Sequence, residues 1–332
     1  MKRKDRIKKK YLDFSKKSLT KQSEPENKPD KQESNSFYYK HYKPLIIVPF
    51  VVLLIAIVLI LIQTATTGNF INKGITLQGG ISVQVPGSTL NADEIRDQMR
   101  QSFPNNEVII RTLESQGEQS GITIESNILP DNVEQTEAFK QRITEITGVN
   151  EREMSIQTIG SALGDAFFKQ TMVAVIIAFI FMGLVVFLYF KTLIPSAAVI
   201  LSAFSDIIVT IAILNIMEYK IGTAGIAALL MLIGYSVDTD ILLTTRVLKS
   251  TEGTVYQRMI NSMKTGMTMT ITTLVAVTIT YFVAQSEVLK EIMLIIIIGL
   301  IVDIFNTWLQ NAGILRYYME KKQEKEAQNG EA

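Results

Sequence analysis

Six stretches of this chain stay apolar for about the 20 residues a helix needs to cross the hydrocarbon core of a bilayer. They cover residues 44–62, 172–190, 194–217, 223–243, 267–284 and 292–315. In lipid every backbone N–H and C=O must find its partner within the protein, so segments of this kind fold as helices. The expected fold class is therefore a polytopic α-helical membrane protein with six transmembrane helices.

The formal net charge of +1 hides a strong segregation. Residues 1–43 are polar and rich in Lys, whereas most of the chain after Lys169 is apolar. The apolar run after Pro44 is longer than the core of a cleavable signal peptide, so it reads as a permanent first span. Lys and Arg concentrate in the first 43 residues, around Lys191, between Arg246 and Lys264, and from Arg316 to Lys325. Six alternating spans place all four groups on one side, the cytoplasm, with both termini. The implied organisation is a disordered basic tail (1–43), a first span (44–63), an extracytoplasmic domain (64–168), spans two to six (169–316) and a cytoplasmic tail (317–332).

The segment between the first two spans alternates strand and helix patterns. Ile81–Val85 alternates apolar and polar residues with the period of a strand. Asn91 precedes an amphipathic stretch carrying Ile95, Met99 and Phe103. Two further strands, 107–111 and 121–125, are joined by a polar turn through Gly117. A second helix opens at Asp131 and a last strand covers 154–157. The order is strand, helix, strand, strand, helix, strand, which implies an α+β ferredoxin-like (βαββαβ) domain. It shows no catalytic constellation and is read as a docking module.

The chain has no Cys and one His, His41. Disulfides, Cys-based metal sites and His-dependent triads are excluded by count. Gly79-Gly80 is followed by no Lys-Ser/Thr, so it marks a tight turn and not a nucleotide loop. No enzyme activity, cofactor, metal or nucleic-acid partner is expected. A stretch over 251–263 reads as an amphipathic helix lying at the cytoplasmic surface.

Carboxylates inside the apolar runs are the candidates for chemistry, because at bilayer depth each is costly unless it faces protein or water. Asp206 stands in the third run, Asp238 and Asp240 close the fourth, and Asp303 lies in the sixth. The ion-coupling candidates are Asp238, then Asp240, which lies on a different helix face, then Asp206. Arg246 and Lys264 are possible counter-charges. The alternatives are that Asp238 and Asp240 cap a helix end and that Asp206 fixes helix packing. Asp303 is read as a packing or partner contact.

Four features resemble the SecF family of the SecD–SecF protein-export complex, relatives of the resistance-nodulation-division transporters. Gly74-Ile75-Thr76-Leu77-Gln78-Gly79-Gly80 is similar to the family's glycine-ended segment after the first span. Ala203–Thr210 resembles its His-Asp motif, with Ser205 in the His place. Gly234-Tyr235-Ser236-Val237-Asp238, followed by Arg246, resembles its fourth span, and Thr270–Leu274 its Thr-rich fifth. Where many members read Asn-Asp, this chain reads Asp238-Thr239-Asp240. Thr265 stands where an Arg is common, and Asp303 is outside the pattern. These departures suggest an archaeal-like branch. The resemblance implies an accessory subunit of Sec-dependent translocation in the cell membrane. Its implied partners are SecD, the Sec translocon channel and exported preproteins, and its energy source the proton or another ion gradient. A non-energised scaffold of the translocase and a proton-coupled small-molecule transporter are the other readings.

Overall fold

The computed structural model describes residues 37–330 apart from 89, 116–117, 251–252 and 285. The basic tail over 1–36 and the turn through Gly117 lie outside the described residues. Helix α1 spans Phe37–Thr67, so residues 37–43, read as tail, are helical. A break in helical geometry at His41, before Pro44, separates this first turn from the apolar span.

The segment that follows holds a short helix α2 (Ile75–Gln78), then β1 (Gly80–Pro86), α3 (Ala92–Ser102), β2 (Val108–Ser115), β3 (Glu118–Ser126), α4 (Val133–Thr147) and β4 (Ser155–Ile159). The strands form one antiparallel sheet in the order β2-β3-β1-β4. Asn91 caps α3 by accepting the Asp93 N–H at 2.9 Å, as its position before the amphipathic stretch implies. At α4 the cap is Asn132, one residue beyond Asp131, and Gly148 closes the helix with φ +70°.

Period-two alternation gives the sheet two unlike faces. Ile81, Val83, Val85, Ile122, Ile124 and Ile110 pack with Ile95, Met99, Phe139 and Ile143 of the two helices. Ser82, Gln84, Thr123, Glu125 and Arg111 share the other face. That polar face lies toward the membrane helices, with the Arg111 guanidinium over the Tyr219 ring, 5.3 Å from its centroid.

The remaining helices are α5 (Ser161–Phe190), α6 (Leu193–Ile216), α7 (Thr223–Lys249), α8 (Val255–Val283), α9 (Glu287–Phe305) and α10 (Ala312–Gly330). Among the described residues, five helices, α1 from His41 and α5 to α8, are long and apolar enough to cross a membrane. The sixth apolar run is divided among α9, a π-helical turn Asn306–Asn311 and the start of α10. Helix α8 corrects one expectation. Thr254 and Gln257 form a capping box that starts a single helix through Val283, so residues 255–263 are not a separate surface helix. Val255, Met259 and Ser262 are buried on its inner side.

Gly79 and Gly80 join the two halves. Both have positive φ, +87° and +144°. A Cβ on Gly79 would stand 2.8 Å from the Ser161 backbone, so only glycine allows α2 to abut the start of α5. On the far side of this junction, Gly74 N–H donates to the Ile221 carbonyl at 2.8 Å and Ile221 N–H to the Asn72 carbonyl at 2.8 Å.

Candidate buried carboxylate site

Helices α6 and α7 each turn a polar stripe inward. Ser202, Asp206 and Thr210 recur every four residues on α6, and Ser236, Asp240 and Thr244 do so on α7. That spacing stacks side chains along one face. A third stripe, Asp303, Asn306, Thr307, Gln310 and Asn311, comes from the end of α9 and the π-turn. Asp206 and Asp240 are fully buried, and Asp303 is 1% exposed.

The side chains are tied across helices. Ser236 Oγ donates to Asp206 Oδ2, and Asn306 Nδ2 donates to Asp206 Oδ1 at 2.7 Å. Asn311 Nδ2 donates to Asp240 Oδ1 at 2.7 Å. Thr307 Oγ1 lies 3.0 Å from Asp240 Oδ1 and 3.0 Å from Asp303 Oδ1. A hydroxyl has one proton, and an ionised carboxylate only accepts. Both Thr307 contacts are hydrogen bonds only when one of the two carboxyls carries a proton of its own. None of the ion pairs among the described residues includes Asp206, Asp240 or Asp303. Their charge is therefore opposed only by hydrogen bonds and by protonation.

The π-turn is what brings three of these groups in. An i→i+5 turn widens the helix locally and changes the angle at which later side chains emerge. Asn306, Thr307 and Asn311 all lie in it and all contact a carboxylate. Trp308, in the same turn, packs on α8 at Gly266, where a Cβ would stand 2.5 Å from the indole.

The sequence-derived candidates separate here. Asp206 and Asp240 meet in the buried site, joined by Asp303, which the sequence reading assigned to packing or partner contact. Asp238, the first choice, is exposed. Two residues from both Ser236 and Asp240, it lies about 200° around the helix from each and points away. Arg246 is not a counter-charge. It donates to the Asn261 carbonyl and to Thr265 Oγ1, each at 3.0 Å, and so staples α7 to α8. Lys264 is exposed. Of the motif glycines, Gly74 caps α2 and Gly79 and Gly80 make the close approach described above, while Gly234 is exposed beside Tyr235 with open space at its Cβ position. The i, i+3, i+4, i+7, i+8 spacing from Asp303 to Asn311 was the signal that could have drawn the third stripe into the site.

Comparison with known proteins matches this architecture. Residues 138–321 fit the family described as protein export membrane protein SecD/SecF, C-terminal. A protein-export membrane protein SecF from Pyrococcus furiosus is 38% identical over 284 residues, covering 86% of this chain and 93% of the relative. The chain belongs to the SecF family. A second SecF, from Methanocaldococcus jannaschii, is 38% identical over 290 residues, covering 84% of this chain and 96% of the relative. The crystal structure of SecDF from Thermus thermophilus, described as a translocon-associated membrane protein, superposes with a TM-score of 0.68 at 17% identity. That match covers 86% of this chain and 39% of the SecDF chain, so the shared part is a fold. Membership of the family and the apolar helices make this a membrane protein.

Proposed function

We propose that this chain is an accessory subunit of Sec-dependent protein export that works with a SecD partner and draws on an ion gradient through Asp206, Asp240 and Asp303. The observation that carries the reading is the burial of three carboxylates from three helices with no cationic partner among the described residues. Such groups are rare in membrane spans and recur along ion pathways. One charge crossing the membrane potential supplies about 2.3 kcal/mol per 100 mV, enough to bias two helix arrangements.

Helix α9 links the site to the domain. At its domain end Glu291 accepts the Gly222 and Gly225 N–H groups at 2.5 and 3.0 Å, gripping the start of α7. Beside it Thr223 N–H donates to Thr76 Oγ1 at 3.0 Å, in the segment that leads to β1. At the other end stand Asp303 and the π-turn, about 18 Å away along the helix. Loading and unloading a proton or another cation at the Asp240–Thr307–Asp303 bridge would shift α9, and with it the footing of the domain.

In this reading the sixth span is α9 continued through the π-turn, both termini are cytoplasmic, and the domain is ferredoxin-like and faces outside. The strand order β2-β3-β1-β4 supports that fold assignment. The SecD partner follows from the SecDF likeness and from Asp238, an exposed carboxylate on a span that favours being covered. The translocon channel and exported preproteins are the further partners.

The test is export into vesicles holding SecD and this chain under an imposed ion gradient. Asp240→Asn should abolish the gradient-dependent part of export while SecD still co-purifies. Retention of that part would favour the non-energised scaffold, for which only loss of the whole chain matters.

A further inference from the structure

Where the domain overhangs the membrane helices, two cavities of about 570 and 600 Å³ lie side by side and share Arg96 and Ile110 as lining. Their roof is α3 and β2. Their floor is the domain-side ends of the spans, at Gln63 of α1, Ile216 of α6, and Phe282 and Val283 of α8. The gap begins where the apolar helices stop, which is the depth of the lipid headgroups. Ile216, Phe282 and Val283 are about two-thirds exposed and form an apolar lip below it. Tyr219 and Tyr281 beside them suit an interfacial belt.

The roof is cationic. Arg96 and Arg100 stand one turn apart on α3, on the flank beside buried Ile95 and Met99. Arg96 is held by Asp93, itself 78% exposed, and Arg100 has no ion pair among the described residues. Arg111 is ion-paired with Glu125 at 3.6 Å, beyond hydrogen-bond reach, and Glu287 of the lining and Glu291 also act on it electrostatically, so its charge is partly balanced while its N–H donors can still turn to a phosphate. Together the two cavities are lined by five Lys or Arg side chains and three Glu. One of those Glu, Glu107, is already paired with Lys220 at 2.6 Å. Outside the lining, Glu291 is engaged by backbone N–H groups.

We propose that this gap seats the phosphate of an anionic phospholipid from the leaflet on the domain side. Arg96, Arg100 and Arg111 are the donors, and the acyl chains run down past Ile216, Phe282 and Val283. A guanidinium fork matches a phosphate bidentately, and the apolar lip selects a lipid over a free anion. The bound lipid braces the domain against the membrane, independently of whether the buried carboxylates carry ions.

The full chain, reconstituted in vesicles of equal phosphatidylglycerol and phosphatidylcholine, would be extracted mildly and its retained lipids counted by native mass spectrometry. Enrichment of phosphatidylglycerol by about fivefold is expected, the scale of one unmatched basic charge at a membrane surface. Arg96→Gln/Arg100→Gln/Arg111→Gln should remove the enrichment, while Arg152→Gln, outside both cavities, should retain it. If the triple variant fails to fold, Arg100→Gln alone, at an exposed unpaired position, should at least halve the enrichment. Equal retention of the two lipids by the unaltered chain, or equal loss in Arg152→Gln, overturns the proposal. So does displacement of the lipid by millimolar inorganic phosphate, which would mark a free-anion site, or a polypeptide as the sole retained occupant.

Discussion

Thr307→Val separates the two roles a buried hydroxyl can play. The substitution keeps the side-chain shape and removes one donor-acceptor oxygen, which stands 3.0 Å from both Asp240 and Asp303. Side-chain hydrogen bonds between membrane helices contribute on average about 0.6 kcal/mol and at most about 1.7. Two contacts then amount to roughly 1–3 kcal/mol, a loss that a bundle of this size tolerates. Packing is preserved because Trp308, which fills the space over Gly266, is untouched. Thr307→Val should therefore lower the melting temperature in detergent by only a few degrees and leave SecD association intact. If the hydroxyl bridges the two carboxyls for proton exchange, gradient-dependent export should nevertheless fall at least tenfold, and Thr307→Ser should restore it. Export reduced only in proportion to lost assembly would refute the bridging role, as would failure of Ser to rescue in a stable, assembled variant.

Three further outcomes follow from local geometry. Phe139→Ala empties the centre of the domain core, where Phe139 is fully buried and meets Phe103 edge to face at 5.3 Å. The domain should lose about 3–5 kcal/mol, read by hydrogen exchange of β1 and β3 amides, with α6 and α7 amides unchanged. Gly79→Ala places a Cβ against the Ser161 backbone at a positive φ, so it should cost about 1–3 kcal/mol and lower the thermal midpoint, whereas Gly234→Ala, at an open position, should not. Asp238→Asn, on the exposed face of α7, should leave gradient-dependent export above half of its original level, in contrast to Asp240→Asn; a loss equal to that of Asp240→Asn would return Asp238 to the coupling role.

Much of this molecule is legible in one dimension, because burial requirements act locally. Apolar length marks six runs, five of which form helices long and apolar enough to cross a membrane among the described residues; period-two alternation marks the sheet, and Asn91 marks the start of a helix. The cost of a carboxylate in lipid marks Asp206, Asp238, Asp240 and Asp303 as the residues to explain, but it puts Asp238 first, and that residue is exposed. What the linear reading could not decide is which acidic side chains meet. That depends on helix phase and on which faces are covered by neighbours. Asp238 and Asp240 are two residues apart, yet one is exposed and the other fully buried. Arg246 sits in sequence near the acidic group but finds its partners on α8.

The amino-acid order by itself determined that this is a helical membrane chain with a small α+β insertion and acidic groups in its spans. Only the packed structure decided that Asp303 joins Asp206 and Asp240, and that a π-turn carries Asn306, Thr307 and Asn311 to them. The physical reason is that a one-residue change in helical phase turns a side chain by about 100°, and such a change is set by packing between helices.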